Sequence, residues 1–132
     1  MNRNVRSMLS LARRANAIKT GEFAVSETIV KKSAKIVVVA KDSGNNTKKK
    51  FSNSCHFYGV KLYSYSLKSE ISSSIGKNNV AVFSIEDINF ANRIEELILA
   101  DETDKEILDD YDYRQTKAVV HEDVEKKSND VK

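Results

Sequence analysis

A single cysteine, Cys55, excludes an intrachain disulfide, so packing alone must hold the fold together. No run of about 18 apolar residues occurs, which excludes a membrane-spanning helix. Arg3 and Arg6 are followed by no long apolar stretch, so a secretory signal is not expected either, and the cytoplasm is the expected compartment. Tryptophan and proline are absent. The lack of proline accompanies an abundance of Lys, Asn, Ser and Ile and carries little structural weight. The 132 residues suffice for a compact core, since folding at this size buries about two thirds of the unfolded surface.

What is present is charge, unevenly placed. Met1 to Leu99 carries 16 basic and 8 acidic residues, a net of +8, whereas Ala100 to Lys132 carries 6 and 11, a net of −5. A small basic body attracts polyanions over long range, which makes nucleic acid the leading partner class against the alternative of a merely solubilising lysine surface. Beyond Leu99 the apolar residues thin out without a sustained period. Residues 1–99 therefore read as one domain and 100–132 as an acidic, mostly disordered tail, with one or two transient helical turns over Asp104 to Asp110. The tail either screens the basic face or is a passive extension.

Hydrophobic spacing alternates between helical and extended. Val5, Met8, Leu9, Ala12 and Ala15 mark one amphipathic helix, Val25, Thr28 and Ile29 a second, and Phe90, Ala91, Ile94, Leu97 and Ile98 another. Ile36 to Ala40 and Val80 to Ile85 are β-branched apolar runs suited to strands covered on both faces. Val60 to Tyr65 alternates, and a weak strand is expected around Ala17 to Lys19. Leu67, Ile71 and Ile75 suggest a short helix, as do Phe51, Cys55 and Tyr58 within Thr47 to Tyr58. Each of the four glycines falls at a boundary, Gly76 as a left-handed helix cap. The order αβαβαβαβα predicts an α/β fold, a three-layer α/β/α sandwich on a four-stranded mixed sheet.

Groups for catalysis are scarce. The histidines are His56 and His121, and Cys55 beside His56 on a helix diverges from it by about 100°, so the pair makes no natural dyad. Spacing for a zinc site is missing, and no cofactor or metal is expected. Lys41 to Thr47 resembles a phosphate loop but lacks both the GxxxxGK and the GxGxxG patterns. It reads as a turn with Asn46 capping a helix, whose start beside Lys48, Lys49 and Lys50 also suits a backbone phosphate. Glu95 and Glu96 read as solvated charge. Tyr63 and Tyr65 share a strand face, as core or rim residues or as a base-stacking pair.

Several strings occur together in order: LSLARRA at Leu9 to Ala15, Gly21-Glu22 opening a helix, AKIVVVAKD at Ala34 to Asp42, NTKKK at Asn46 to Lys50, CHFYGV at Cys55 to Val60 and IGK at Ile75 to Lys77. From about Met8 to Leu99 the chain resembles the ribosomal kink-turn-binding proteins, the superfamily of L-seven-Ae and L-thirty-e, in its bacterial YlxQ-like branch. The resemblance implies an L-thirty-e-like sandwich that binds structured RNA, ribosomal or ribosome-associated. The scarcity of catalytic groups fits binding without catalysis, and a monomer is expected because no surplus apolar stripe is evident.

It also implies three RNA-facing segments: Lys19 to Phe23, Lys41 to Asn46, and Gly76 to Asn79. The candidate residues are Lys19, Thr20, Gly21, Glu22, Phe23, Lys41, Asn46, Lys48, Gly76, Lys77 and Asn78. Family members with well-understood binding carry Gly-Thr-Asn-Glu at the first segment and a Lys three residues later. Here Gly21 is kept, Glu22, Phe23 and Ala24 follow it, and Glu27 takes the Lys position. Base-reading groups are thus replaced, each good bidentate contact of that kind being worth about 1–3 kcal/mol. Glu22 either accepts from guanine or complements the helix dipole. A protein–protein adaptor on the same fold is the alternative function.

Overall fold

The computed structural model describes residues 1–101 and 105–106. Five helices, α1 (Arg3–Arg14), α2 (Glu22–Val30), α3 (Asn45–Tyr58), α4 (Lys68–Ile75) and α5 (Ile88–Ala100), alternate with β1 (Ile18–Thr20), β2 (Ile36–Val39), β3 (Lys61–Tyr65) and β4 (Val82–Ile85). The four strands form the mixed sheet expected from the sequence, in the order β1-β4-β2-β3, with β2 and β3 parallel and β4 antiparallel to both β1 and β2.

Alternation along β2 builds the two sides. Ile36 and Val38 pack into one cluster with Val5, Leu9, Phe83, Ile94 and Ile98, under α1, α4 and α5. Val37 and Val39 face the other way, toward Val25, Ile29, Phe51 and Cys55 of α2 and α3. All four β2 residues are buried, as a β-branched run sandwiched between helical layers requires. Inside the second layer the Thr28 and Ser84 hydroxyls bond each other at 3.0 Å, which satisfies two polar groups in a dry site.

The helix starts follow local chemistry. Asn2 caps α1 by accepting from the Val5 N–H, and Asp87 caps α5 by accepting from Asn89 and Phe90. Asn46 is not the cap expected for α3. A turn closed by the Ser43 N–H on the Ala40 carbonyl leaves Gly44 as the extended capping residue, and Asn46 falls inside the first turn.

One strand arises where a helical turn was expected. Lys105–Glu106 forms β5, antiparallel to β3, with Tyr65 opposite Lys105 and Ser64 opposite Glu106. Pairing there satisfies part of the β3 edge, whose backbone groups point outward. The rest of the expected turn, and the tail from residue 107 on, lie outside the described residues.

Candidate functional site

Strand direction gathers the candidate segments. Because β4 is antiparallel to both β1 and β2, and β3 is parallel to β2, the strands β1, β2 and β3 all end where β4 begins. The turns into α2, α3 and α4 and the segment entering β4 therefore meet at one end of the sheet, the place where open α/β sheets take ligands.

Hydrogen bonds knit those segments together. The Gly21 N–H donates to the Val82 carbonyl at 3.1 Å, Ala40 to Ala81 at 2.8 Å and Lys41 to Ser66 at 2.8 Å. The Asp42 carboxylate accepts from the Lys68 N–H at 2.9 Å and so ties the α3 turn to the start of α4. Between them lies a cleft of about 280 Å³, lined by Gly21, Glu22, Ser43, Gly44, Thr47, Lys68, Asn79, Ala81 and Val82.

Of the first segment, Gly21 and Glu22 line this cleft. Thr20 is half-buried at the end of β1, Lys19 is exposed one residue earlier, and Phe23 stands 78% exposed in the first turn of α2. Of the second segment, Gly44 reaches the cleft, Asn46 is exposed nearby, and Lys41 is half-buried and already engaged within the chain. Gly76 ends α4 in the left-handed region at φ +79°, followed by exposed Lys77 and Asn78 and by Asn79, which reaches the cleft at φ +57°.

Lys48 departs from expectation. It is 7% exposed and engaged inside the chain, so it is not an open cation at this surface. The reason lies in helix period: Lys48 shares the inward stripe of Phe51, Ser52 and Cys55, one turn ahead of them.

Glu22 has internal partners. Its carboxylate accepts from the Thr47 hydroxyl at 3.0 Å and from the Lys50 ammonium at 3.3 Å, joining the first turns of α2 and α3. Lys19, Lys49, Lys68 and Lys77, by contrast, take part in no ion pair among the described residues. Lys19, Lys68 and Lys77 are thereby left as cations at or beside one end of the sheet.

Sequence reasoning overlooked Lys68 and did not single out Ser43 or Thr47 within the Lys41 to Thr47 turn. Lys68 carried a usable signal, since it opens a helix three residues after the end of a strand that stops at the same edge. Arg13 was also missed. Its guanidinium donates to the Ile75 carbonyl at 2.7 Å and braces the last turn of α4 just before Gly76.

The remaining chemistry-bearing residues are committed to structure. Cys55 is 2% exposed on the inner face of α3. Tyr65 is buried with its hydroxyl donating to Asp101 at 2.6 Å, and Tyr63 donates to Glu95, which also holds Lys61. The tyrosines are thus core and rim residues, and Glu95 is a paired group rather than plain solvated charge. Among the described residues no group of three or more His, Cys, Asp or Glu converges as a metal site. No helix there is long and apolar enough to cross a membrane.

Gly21 sets the shape of the cleft mouth. Its φ of +93° with ψ of 155° is a conformation essentially confined to glycine, while a Cβ would meet nothing within 4 Å. The cost of a side chain is therefore backbone strain and not collision. Gly21→Val is expected to lower unfolding stability by roughly 1–3 kcal/mol in urea titration. A loss below about 0.5 kcal/mol would show that this turn relaxes into an ordinary conformation.

Comparison with known proteins agrees with this architecture. Residues 3–95 match the model of the Ribosomal protein L7Ae/L30e/S12e/Gadd45 family. The chain is 39% identical over 92 residues to the RNA-binding protein YlxQ of Enterococcus faecium, covering 70% of this chain and 88% of that one. It is 33% identical over 91 residues to the RNA-binding protein YlxQ of Bacillus subtilis, covering 69% and 91%. Among solved structures, a protein of unknown function from Bacillus halodurans superposes with a TM-score of 0.71 at 28% identity, covering 74% of this chain and 98% of that one. The Giardia lamblia 15.5kD RNA binding protein shares the fold with a TM-score of 0.61 at 17% identity, over 78% and 92%. With the family model spanning most of its length and two relatives above 30% identity, the chain belongs to the ribosomal protein L7Ae/L30e/S12e/Gadd45 family, in its YlxQ-like branch.

Proposed function

We propose that this chain is a non-catalytic RNA-binding protein that docks bent, structured RNA of the kink-turn type, ribosomal RNA foremost, on the loop end of its sheet. The observation that carries this reading is the convergence of three loop segments with Lys19, Lys68 and Lys77, all outside ion pairs, on one end of a rigid sandwich. The names of the YlxQ relatives point the same way.

In this reading the lysines neutralise phosphates and position the RNA without reading its sequence. Gly21, lacking a Cβ, lets the backbone come close to the start of α2. The amides of Asn78 and Asn79 meet base edges or 2′-hydroxyls, and the exposed Phe23 ring offers a face for an unstacked base, worth about 1–3 kcal/mol where such stacks form. Recognition rests on the shape of the bend, because the base-reading Asn and Glu of the better-understood relatives are replaced here by Phe23 and Ala24.

A gel shift comparing one kink-turn RNA with a matched straight duplex tests the proposal. The bent RNA is expected to bind more tightly. Its log affinity should fall against log salt with a slope of about −3 to −4 between about 50 and 200 mM, as four or five phosphates are neutralised. Salt-independent binding, or equal affinity for both RNAs, would overturn it. A protein partner captured regardless of RNase treatment, without any RNA binding, would favour the adaptor role instead.

A further inference from the structure

Glu22 is an anion placed inside a basic surface. Its two carboxylate oxygens are held separately, Oε2 by the Thr47 hydroxyl at 3.0 Å and Oε1 by the Lys50 ammonium at 3.3 Å. Thr47 and Lys50 lie one turn apart on α3, and Lys50 rests 5.5 Å from the centroid of the Phe51 ring, so donor and cation are both set by one helix face. Glu22 comes from the neighbouring helix, across the cleft wall.

A hydroxyl donor and an ammonium converging on two oxygens of a singly charged group is also the arrangement that holds a phosphodiester, which presents two non-bridging oxygens with one charge between them. The pair is easily broken. Lys50 and Glu22 are 52% and 48% exposed, and ion pairs in such solvent contact contribute little.

We infer that Glu22 is an internal competitor for an RNA phosphate and thereby a specificity determinant of the surface. Its carboxylate occupies the place where a phosphate would take Thr47 and Lys50. This inference rests on the RNA-binding reading and adds to it. While Glu22 is seated, Lys50 contributes little to long-range attraction, and the carboxylate repels incoming phosphates. A straight duplex, meeting the protein through diffuse charge alone, is disfavoured. A bent RNA that fills the cleft has enough further contacts to displace the carboxylate. Discrimination therefore comes from a repulsive element, which complements the shape of the attractive one.

Glu22→Gln tests this, since the amide keeps the size and an acceptor for Thr47 while removing the charge. Affinity for a straight duplex is expected to rise about fivefold at 0.1 M salt, with its salt slope steeper by about 0.7–0.9 as Lys50 engages a phosphate. The bent RNA should gain less, so the preference for it narrows. Adding Lys50→Ala to Glu22→Gln should cancel the gain on duplex, which ties the effect to this pair through a double-mutant cycle. Thermal melts of each variant exclude loss of fold as the cause.

If Glu22→Gln weakens the bent RNA and leaves the duplex unchanged, Glu22 is a direct base contact and the inference is overturned. Equal affinities of variant and wild type for both RNAs would overturn it while leaving the binding reading intact. If the wild-type protein binds neither RNA, both fail together.

Discussion

Replacing Lys19, Lys68 and Lys77 together by alanine is expected to weaken binding of a bent RNA roughly 10²-fold at about 0.1 M salt, and to flatten its salt slope by about 2 to 3. The estimate follows from counterion release. Each lysine that neutralises a phosphate contributes about 0.7–0.9 to the slope, and each such contribution is worth several-fold in affinity at that salt. The three residues come from β1, the start of α4 and the loop after α4, so no short stretch of sequence contains the patch. None of them forms an ion pair among the described residues, so their removal leaves no carboxylate stranded.

A control is built into the fold. Lys31, Lys32 and Lys35 are equally exposed but precede β2, at the opposite end of the sheet. Their triple alanine variant removes the same net charge, so it reports general attraction alone. Fluorescence anisotropy across a salt series should show only a modest change for this variant, within about threefold. Equal losses in the two triple variants would show that the body binds RNA by overall charge and has no dedicated face.

The second large effect concerns the scaffold. Phe83→Ala is expected to lower unfolding stability by about 3–5 kcal/mol, the range for emptying a buried aromatic site. Phe83 is fully buried in β4, opposite Val38 of β2 and Thr20 of β1, within the cluster that joins the sheet to α1, α4 and α5. For a domain of this size the loss corresponds to a fall in Tm of more than about 10 °C. Urea denaturation followed by circular dichroism measures it, and a loss below about 1.5 kcal/mol would mean that β4 does not form the packed centre of the sheet. RNA affinity should fall only as far as the folded fraction falls, because Phe83 lies beneath the cleft and not in it.

Much of this scaffold was legible in the sequence. The apolar run Ile36 to Ala40 announced a strand buried on both faces, and β2, Ile36–Val39, is covered on both. The stripes of α1 and α5 likewise follow the 3.6-residue period. β1 is displaced by a single residue, at Ile18–Thr20 in place of Ala17 to Lys19. A strand of three residues has too little period to fix its ends.

The candidate site was legible only in part, because its elements are joined by tertiary geometry. The resemblance supplied three segments, but their meeting at one end depends on strand direction, which composition does not encode. Lys48 was readable and misjudged: its place three residues before Phe51 and seven before Cys55 sets it on the buried stripe, which its charge obscured. The partners of Glu22 lie 25 and 28 residues away on another helix, beyond any local pattern. The cap of α3 was misjudged for a related reason. Asn46 has the better capping side chain, but the turn closed at Ala40 and Ser43 set the boundary at Gly44.

The most direct test of the account is a map of backbone amide shifts as a kink-turn RNA is titrated into the labelled protein. The account predicts that the shifts concentrate in Lys19 to Phe23, Lys41 to Thr47, Lys68 and Gly76 to Asn79, with Lys31 to Lys35 and Gly59 to Lys61 unmoved. Perturbations centred on those last two segments, or spread evenly over both ends of the sheet, would contradict it.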